Sequence, residues 1–501
     1  MQLVDNLVLG LATALSLQNL FYCFAGALVG TFIGVLPGIG PTATIAMLLP
    51  LTYHLSPTAS LIMLAGIYYG SQYGGSTTAI LINLPGEVSS SVTAIDGYQM
   101  ARQGRAGQAL AIAAIGSFVA GTFATFVIAV VAVPLTRVAL QFGATEYFAL
   151  ILLGLVTSTA LAHGSVLKGM AMIVTGMLFG LVGTDVDSGA FRFTLGFVEL
   201  TDGLSIVAVA LGIFGIAEIL RNLEQMPGSA AGTTAITSLM PSRDDLRQAA
   251  WPIARGSVLG SILGTLPGGG SILAAFSSYT LEKRLSRHPE RFGQGAIEGV
   301  AGPESANNAG AQTSFIPLLT LGIPSHPLMA LMIGALMIQG ITPGPNVVNE
   351  QPALFWGVIA SMWIGNAMLI ILNLPLVGVW VAMLKIPYRV LLPTIVAFSM
   401  IGVFTVNNSG FEVCLLAIFG LAGYLFSKLG CEPAPFLMGF VLGELLEEHL
   451  RRALVFSNGD PAVFIREPIS AGLLVATALV LIIVALPAIN RKREQIFVEE
   501  G

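Results

Sequence analysis

Glycine, proline and hydroxyl side chains recur in one arrangement at two places in the sequence, and that arrangement can bind an anion without any cationic side chain. The first copy reads Gly30-Thr31-Phe32-Ile33-Gly34-Val35-Leu36-Pro37-Gly38-Ile39-Gly40-Pro41. The second reads Gly260-Ser261-Ile262-Leu263-Gly264-Thr265-Leu266-Pro267-Gly268-Gly269-Gly270-Ser271. Gly30 and Gly260 differ by 230, and the pattern G-x-x-x-G-x-L-P-G-x-G carries over with no gap. Proline lacks an N–H and glycine frees the backbone, so a helix entering Leu-Pro-Gly stops there. A helix restarted just beyond exposes its first N–H groups and the positive end of its dipole, which favours an anion.

The candidate substrate-binding residues are therefore Pro37, Gly38, Gly40, Pro41 and Thr42 in one half, with Pro267, Gly268, Gly269, Gly270 and Ser271 in the other. Hydroxyls and amides on the helices that follow would complete the site: Ser76, Thr77 and Asn83 in the first half, and Asn307, Asn308 and Ser325 (after Pro324) in the second. A plainer reading is that these glycines and prolines only allow helices to cross closely. The recurrence of the whole arrangement weighs against it. Glu304 stands apart as a carboxylate inside an apolar helix, where a charge is costly and is a functional hypothesis by default. With Asn307 and Asn308 it is the candidate ion-coupling group, taking a proton or helping to hold sodium. The alternative places it at the interface, solvated.

These residues sit in a chain built for lipid. Of 501 residues, 55% are hydrophobic and 10% charged, where soluble proteins carry about a quarter. The mean hydropathy of +0.83 agrees. At roughly 20 residues per span, about 10 to 12 transmembrane segments are expected, some of them broken. The fold class is an all-α polytopic membrane protein. A break inside an apolar run survives only when buried in protein or lining a cavity. Two matching interrupted segments in two halves of a membrane protein point to a transporter's binding site.

Residues 6–86 carry no Asp, Glu, Lys or Arg, and neither do residues 305–349. Spans are expected at roughly 20–36, 108–133, 145–162, 166–183, 204–222, 353–384, 388–405, 411–428, 432–448 and 467–488, with half-helices at 255–266 and 272–285 that form either one broken span or a re-entrant hairpin. A short apolar segment at 7–17 would lie in the interface. A polar insertion with Asp185, Asp187 and Arg192 reads as a loop ordered by its own charges. The polar stretch 225–248 divides the chain into halves, 1–240 and 241–501. Each has a motif region (30–41 with 70–87; 260–271 with 302–325) followed by a scaffold (about 108–222 and about 353–488) that would also carry oligomer contacts.

Loop charge suggests that the halves are inverted. Lys283, Arg284, Arg287 and Arg291 follow the second break, whereas the equivalent 52–57 has no basic residue. Arg102 and Arg105 follow the first half's second motif, whereas 341–352 has none. Basic loops stay cytoplasmic, so equivalent loops that differ in opposite senses imply opposite orientation, with the Arg491-Lys492-Arg493 tail cytoplasmic. No Lys follows a Gly, which excludes an ATP-binding G-x-x-x-x-G-K loop. The five histidines form no ligand pair, and Cys23, Cys414 and Cys431 fit no metal spacing. Nothing calls for a cofactor, a nucleic-acid partner or catalysis.

At these motifs the chain resembles the large membrane subunit, TctA, of the bacterial tripartite tricarboxylate transporters. The likeness lies in both L-P-G-x-G segments, Gly70-Ser71-Gln72-Tyr73-Gly74-Gly75-Ser76, Gly302 to Asn308, Gly322-Ile323-Pro324, Asp185 to Thr194 and Gly212 to Glu218. It implies a secondary carrier in the bacterial inner membrane, driven by a Na+ or H+ gradient. It also implies a small TctB-like membrane subunit and a periplasmic TctC-like solute-binding protein as partners, and a citrate-like tricarboxylate or related organic carboxylate as substrate. A homodimer is compatible with the scaffold. The competing readings are an ion channel, a carrier for a different small anion, and an intramembrane enzyme. The last lacks any nucleophile–base or metal constellation.

Overall fold

The computed structural model describes residues 2–36, 40–161, 165–185, 187–224, 239–266, 270–383 and 388–485. Pro37, Gly38, Pro267, Gly268, Gly269 and the Arg491–Arg493 tail lie outside the described residues. The protein is an all-α polytopic membrane protein, about 81% helical. In the first half the helices are α1 (Gln2–Ala14), α2 (Leu17–Val35), α3 (Pro41–Thr52), α4 (Pro57–Ile82), α5 (Ser91–Met100), α6 (Ala106–Ala139), α7 (Ala144–Leu161) and α8 (Val166–Gly180). A two-residue hairpin follows, β1 (Gly183–Thr184) paired antiparallel with β2 (Phe191–Arg192), then α9 (Ile206–Ala210) and α10 (Ala217–Glu224) joined by a π-helical turn.

The second half contains α11 (Arg243–Leu263), α12 (Gly270–Leu285), α13 (Glu298–Thr313), α14 (Phe315–Leu321), α15 (Pro327–Ile338), α16 (Val347–Glu350) and α17 (Pro352–Asn373). It ends with α18 (Val377–Met383), α19 (Tyr388–Asn407), α20 (Gly410–Lys428), α21 (Pro433–Phe456), α22 (Val463–Arg466) and α23 (Pro468–Ala485). Among the described residues, five helical stretches are long and apolar enough to cross a membrane, and seven shorter apolar helices accompany them.

Local chemistry sets the ends. Ser56 caps α4 through its Oγ, with Pro57 at the first helical position, where a missing N–H costs nothing. Ser242 and Asp245 form a reciprocal capping box, so α11 begins at Arg243, within the polar stretch and earlier than the half-helix expected from 255. The span expected over 353–384 is divided, because Pro375 supplies no N–H and α17 ends at Asn373. The segment expected in the interface forms α1, which packs along α17. A Cβ on Gly10 would lie 2.4 Å from the Trp356 carbonyl oxygen.

Two helix pairs are packed backbone to backbone. On α2, a Cβ at Gly26, Gly30 or Gly34 would come within 2.3, 2.3 and 2.5 Å of the carbonyl oxygens of Met63, Ile67 and Ser71 on α4. On α11, a Cβ at Gly256, Gly260 or Gly264 would come within 2.4, 2.2 and 2.3 Å of those of Gly302, Ala306 and Gly310 on α13. The glycines differ by 230 in each case and their partners by 239, so one crossing recurs in both halves.

The insertion after α8 is braced as its charges suggested. Arg192 reaches Asp185 at 2.6 Å and Glu447 of α21 at 2.8 Å, and Arg451 reaches Asp185 and Asp187 at 3.2 Å. The Ser188 hydroxyl, the Asp187 N–H and the two arginines hold the Asp185 carboxyl well below the usual carboxylate range. A depressed carboxylate stabilises the fold above its unfolded pKa and loses that contribution as pH falls. Pepsin should therefore begin to cut within 183–204 as pH drops below about 4, and Asp185→Asn should be cut at higher pH.

Glycine packing and glycine at the break separate cleanly by substitution. Gly260→Ala forces a methyl against a backbone carbonyl and should cost about 1–3 kcal/mol, seen as a lower unfolding temperature in detergent. Gly40→Ala meets nothing within 4 Å and should leave that temperature unchanged.

Candidate functional site

The glycine crossings bring α4 and α13 to the centre of the molecule, and both helices are buried along nearly their whole length. α4 ends on the left-handed Asn83 (φ 57°), and α14, which follows α13, ends on the left-handed Gly322 (φ 70°). These caps also differ by 239 and are followed by Leu84-Pro85-Gly86 and Ile323-Pro324-Ser325. Beyond them lie Glu87 and His326, again 239 apart.

Each of those two residues bonds to the opposite half. The Tyr68 hydroxyl lies 3.2 Å from His326 Nε2, and Asn307 Nδ2 donates to Glu87 Oε1 at 3.2 Å. Tyr68 and Asn307 are themselves 239 apart, so one cross-half contact occurs twice with different chemistry. A second pair of cross-half contacts resembles it: Tyr73 donates to Asn366 Oδ1 of α17 at 2.9 Å, and Thr125 of α6 donates to Gln312 Oε1 at 2.7 Å, with 73 and 312 differing by 239 and 125 and 366 by 241.

The restarted helices arrive beside these contacts. Gly270, the first residue of α12 (φ 42°), would place a Cβ 3.0 Å from His326 Cδ2. Ser271 and Gln72 lie against the Tyr68 hydroxyl. α12 also packs on the turn at 88–90, and α3 packs on α15. Ser325 Oγ and Asn307 Oδ1 are buried there without a hydrogen-bond partner, although buried polar atoms are rarely left unpaired. The start of α12 and the orphaned Ser325 hydroxyl offer donors to an anion, while the orphaned Asn307 Oδ1 can only accept. Thr42 and Gly40 are half-buried at the start of α3, whereas the Asn83 side chain is exposed and its visible role is the left-handed cap.

Glu304 lies deep inside the protein, 1% exposed, so its carboxylate is not solvated. Ser76 Oγ sits 2.7 and 2.8 Å from its two oxygens, Thr93 Oγ1 is at 2.9 Å, and Ser117 Oγ and Asn308 Nδ2 are each at 3.2 Å. Among the described residues no lysine, arginine or histidine bonds to it. Asn307, expected beside Glu304 together with Asn308, faces Glu87 instead. The two are adjacent in sequence, and the helical turn of about 100° per residue points them to different neighbours. Ser117 and Thr93 were not anticipated, since each comes from a helix far away in sequence.

Asp96 fixes Thr93 in place. Its Oδ1 accepts the backbone N–H groups of Gly293, Gly295 and Ala296, each at 2.8 Å, and its Oδ2 accepts the Tyr279 hydroxyl at 3.0 Å. One carboxylate thus ties α5 to the segment leading into α13. A Cβ at Gly299 would lie 2.2 Å from Asp96 Oδ2, so the approach needs a glycine.

The TctA family model, described as the tripartite tricarboxylate transporter TctA family, matches residues 20–438. The chain belongs to that family. It is therefore a tricarboxylate-transporter permease subunit, a membrane component that functions with other subunits in a tripartite system. It is 62% identical over 500 residues to an Agrobacterium vitis protein named "Uncharacterized 52.8 kDa protein in TAR-I ttuC' 3'region", with both chains covered in full. A second Agrobacterium vitis protein, "Uncharacterized protein in TAR-II ttuC' 3'region", is 63% identical over 241 residues, which is 48% of this chain and all of that one. No solved structure matches the chain.

Replacing Asp96 by Ala would strand three backbone donors and a tyrosine hydroxyl in a buried site. The variant should lose about 3 kcal/mol or more of stability, measured as a drop in the unfolding temperature of the solubilised protein.

Proposed function

We propose that this permease subunit takes up a tricarboxylate such as citrate, or a related organic carboxylate, by symport with Na+ or H+. The substrate is delivered by a periplasmic solute-binding protein, with a small membrane subunit alongside, in the bacterial inner membrane with the C-terminus cytoplasmic. The observation that supports this best is the recurrence of the cross-half contacts, Tyr68 with His326 and Asn307 with Glu87, beside the helix restart at Gly270. Two equivalent halves that meet through equivalent contacts suit alternating access around a central site, with the halves inverted in the membrane.

In this reading the substrate carboxylates occupy the N-termini of α3 and α12. Pro37, Gly38, Gly40, Pro41 and Thr42 on one side and Pro267, Gly268, Gly269, Gly270 and Ser271 on the other shape the backbone that receives them. The free Ser325 hydroxyl, following Pro324, donates to a substrate carboxylate, and the free Asn307 carbonyl accepts from a substrate hydroxyl to complete the shell. Ser76, Thr77 and Asn308 serve the neighbouring Glu304, which carries the coupling cation. The later helices of each half form the scaffold, and two copies could pair through it.

Uptake of radiolabelled citrate into proteoliposomes holding the permease, its small subunit and its binding protein tests this under separate sodium and proton gradients. Gradient-dependent accumulation is expected, with Gly38→Ala, Gly268→Ala and His326→Ala each lowering it about tenfold or more, the cost of about 1.4 kcal/mol of lost binding. Accumulation of another carboxylate in place of citrate would change the ligand alone. Flux indifferent to any gradient, or absent for every carboxylate although the binding protein docks, would reject the carrier.

A further inference from the structure

Beside Glu304 lies a cavity of about 20 Å3 lined by Ser76, Thr77, Ser117, Glu304 and Asn373, with Tyr73 and aliphatic side chains closing it. That volume accepts one water-sized particle. Its polar lining residues carry oxygen ligands: a carboxylate, three aliphatic hydroxyls, the Tyr73 phenol and an amide. Asn373 is 7% exposed, its Nδ2 donates to the Leu369 carbonyl at 2.9 Å, and its Oδ1 has no partner. An unpaired buried amide oxygen on a cavity of this size is a vacant acceptor, able to meet a hydrogen-bond donor or a cation.

The charge balance discriminates between those two. Each group bonded to Glu304 can donate to it, and Ser117 receives Asn308 Nδ2 at 2.7 Å, which leaves the Ser117 proton for the carboxylate. Such a shell suits the ionised form. An ionised carboxylate buried in protein without a basic partner among the described residues is strongly unfavourable until a cation joins it. A neutral water in the cavity would leave the charge uncompensated. The cavity also adjoins the C-terminus of α17, since Asn373 is its last residue and Leu374 lines the wall. The negative end of a helix dipole favours a cation there. Carboxylate, hydroxyl and amide oxygens are the donors of hard cations rather than of zinc or copper.

We propose that this cavity is a sodium site, with Glu304 supplying the charge and Asn373 Oδ1, Ser76 and Ser117 supplying neutral oxygens. It joins α4 and α6 of the first half to α13 and α17 of the second. An ion held there bridges segments from both halves, which gives sodium a route to bias their arrangement. The site rests on the reading of Glu304 as the coupling group, and it narrows that reading to one ion and one ligand set.

Direct binding of radioactive sodium to the purified full-length permease in detergent, in choline buffer, tests the site without substrate or partners. Saturable binding is expected. It should be lost in Glu304→Gln and weakened about tenfold or more in Asn373→Ala, which removes one neutral ligand. Should Glu304→Gln fail to elute as a monodisperse species, Asn373→Ala and Ser117→Ala carry the test, since neither removes the buried charge. No saturable binding, or affinity unchanged in both Asn373→Ala and Ser117→Ala, overturns the proposal. So does proton release dependent on Glu304 in a protein that ignores sodium. Sodium binding that persists while no carboxylate accumulates in proteoliposomes rejects the transport reading and leaves the site standing. Proton-driven uptake by a chain that binds no sodium does the reverse.

Discussion

Lipid offers no hydrogen bonds, so a helix can be broken inside the membrane only where protein supplies what water would have. The protein meets that constraint by bringing two pairs of helices into backbone contact. Gly26, Gly30 and Gly34 let α2 lie against the carbonyls of α4, and Gly256, Gly260 and Gly264 do the same for α11 and α13. With no side chains between them, the helices carry their broken ends into a protein-lined interior instead of into hydrocarbon. The restarted helices, the left-handed caps and the cross-half contacts all depend on those crossings.

The central contacts share geometry but not chemistry. Tyr68 meets His326 where Asn307 meets Glu87, and Tyr73 meets Asn366 where Thr125 meets Gln312. Equivalent backbones thus hold different polar groups on the two sides of one locus. Glu304 has no acidic counterpart, since the residue 239 positions earlier is Ala65. Glu87 has none either, since its counterpart is His326, so the repeated backbone carries an unmatched carboxylate in each half at different positions.

Asp96 shows how a buried carboxylate serves structure alone. It receives three backbone N–H groups and a tyrosine hydroxyl, and it spans two segments nearly two hundred residues apart. Glu304 receives side-chain hydroxyls and an amide and sits on a small polar cavity. Fixed backbone donors hold a carboxylate in one place, whereas rotatable hydroxyls can also turn their lone pairs toward an ion.

The sequence by itself determined that the chain is a helical membrane protein with two related halves, because composition and the Leu-Pro-Gly breaks are local properties that lipid permits in few ways. It also marked Glu304, since a carboxylate in an apolar helix is conspicuous without coordinates. The offset of 239 between Leu84-Pro85-Gly86 and Ile323-Pro324-Ser325 is also a property of the sequence, and it aligns Glu87 with His326 and Tyr68 with Asn307. Tertiary structure alone decided the rest. Ser76, Thr93, Ser117 and Asn373 meet around Glu304 from four different helices, and no periodicity within one helix encodes which neighbour its faces will find. The choice between Asn307 and Asn308 turned on one residue's rotation about a helix axis. That rotation is set by the glycine crossings, and so by contacts between segments that the linear order keeps far apart.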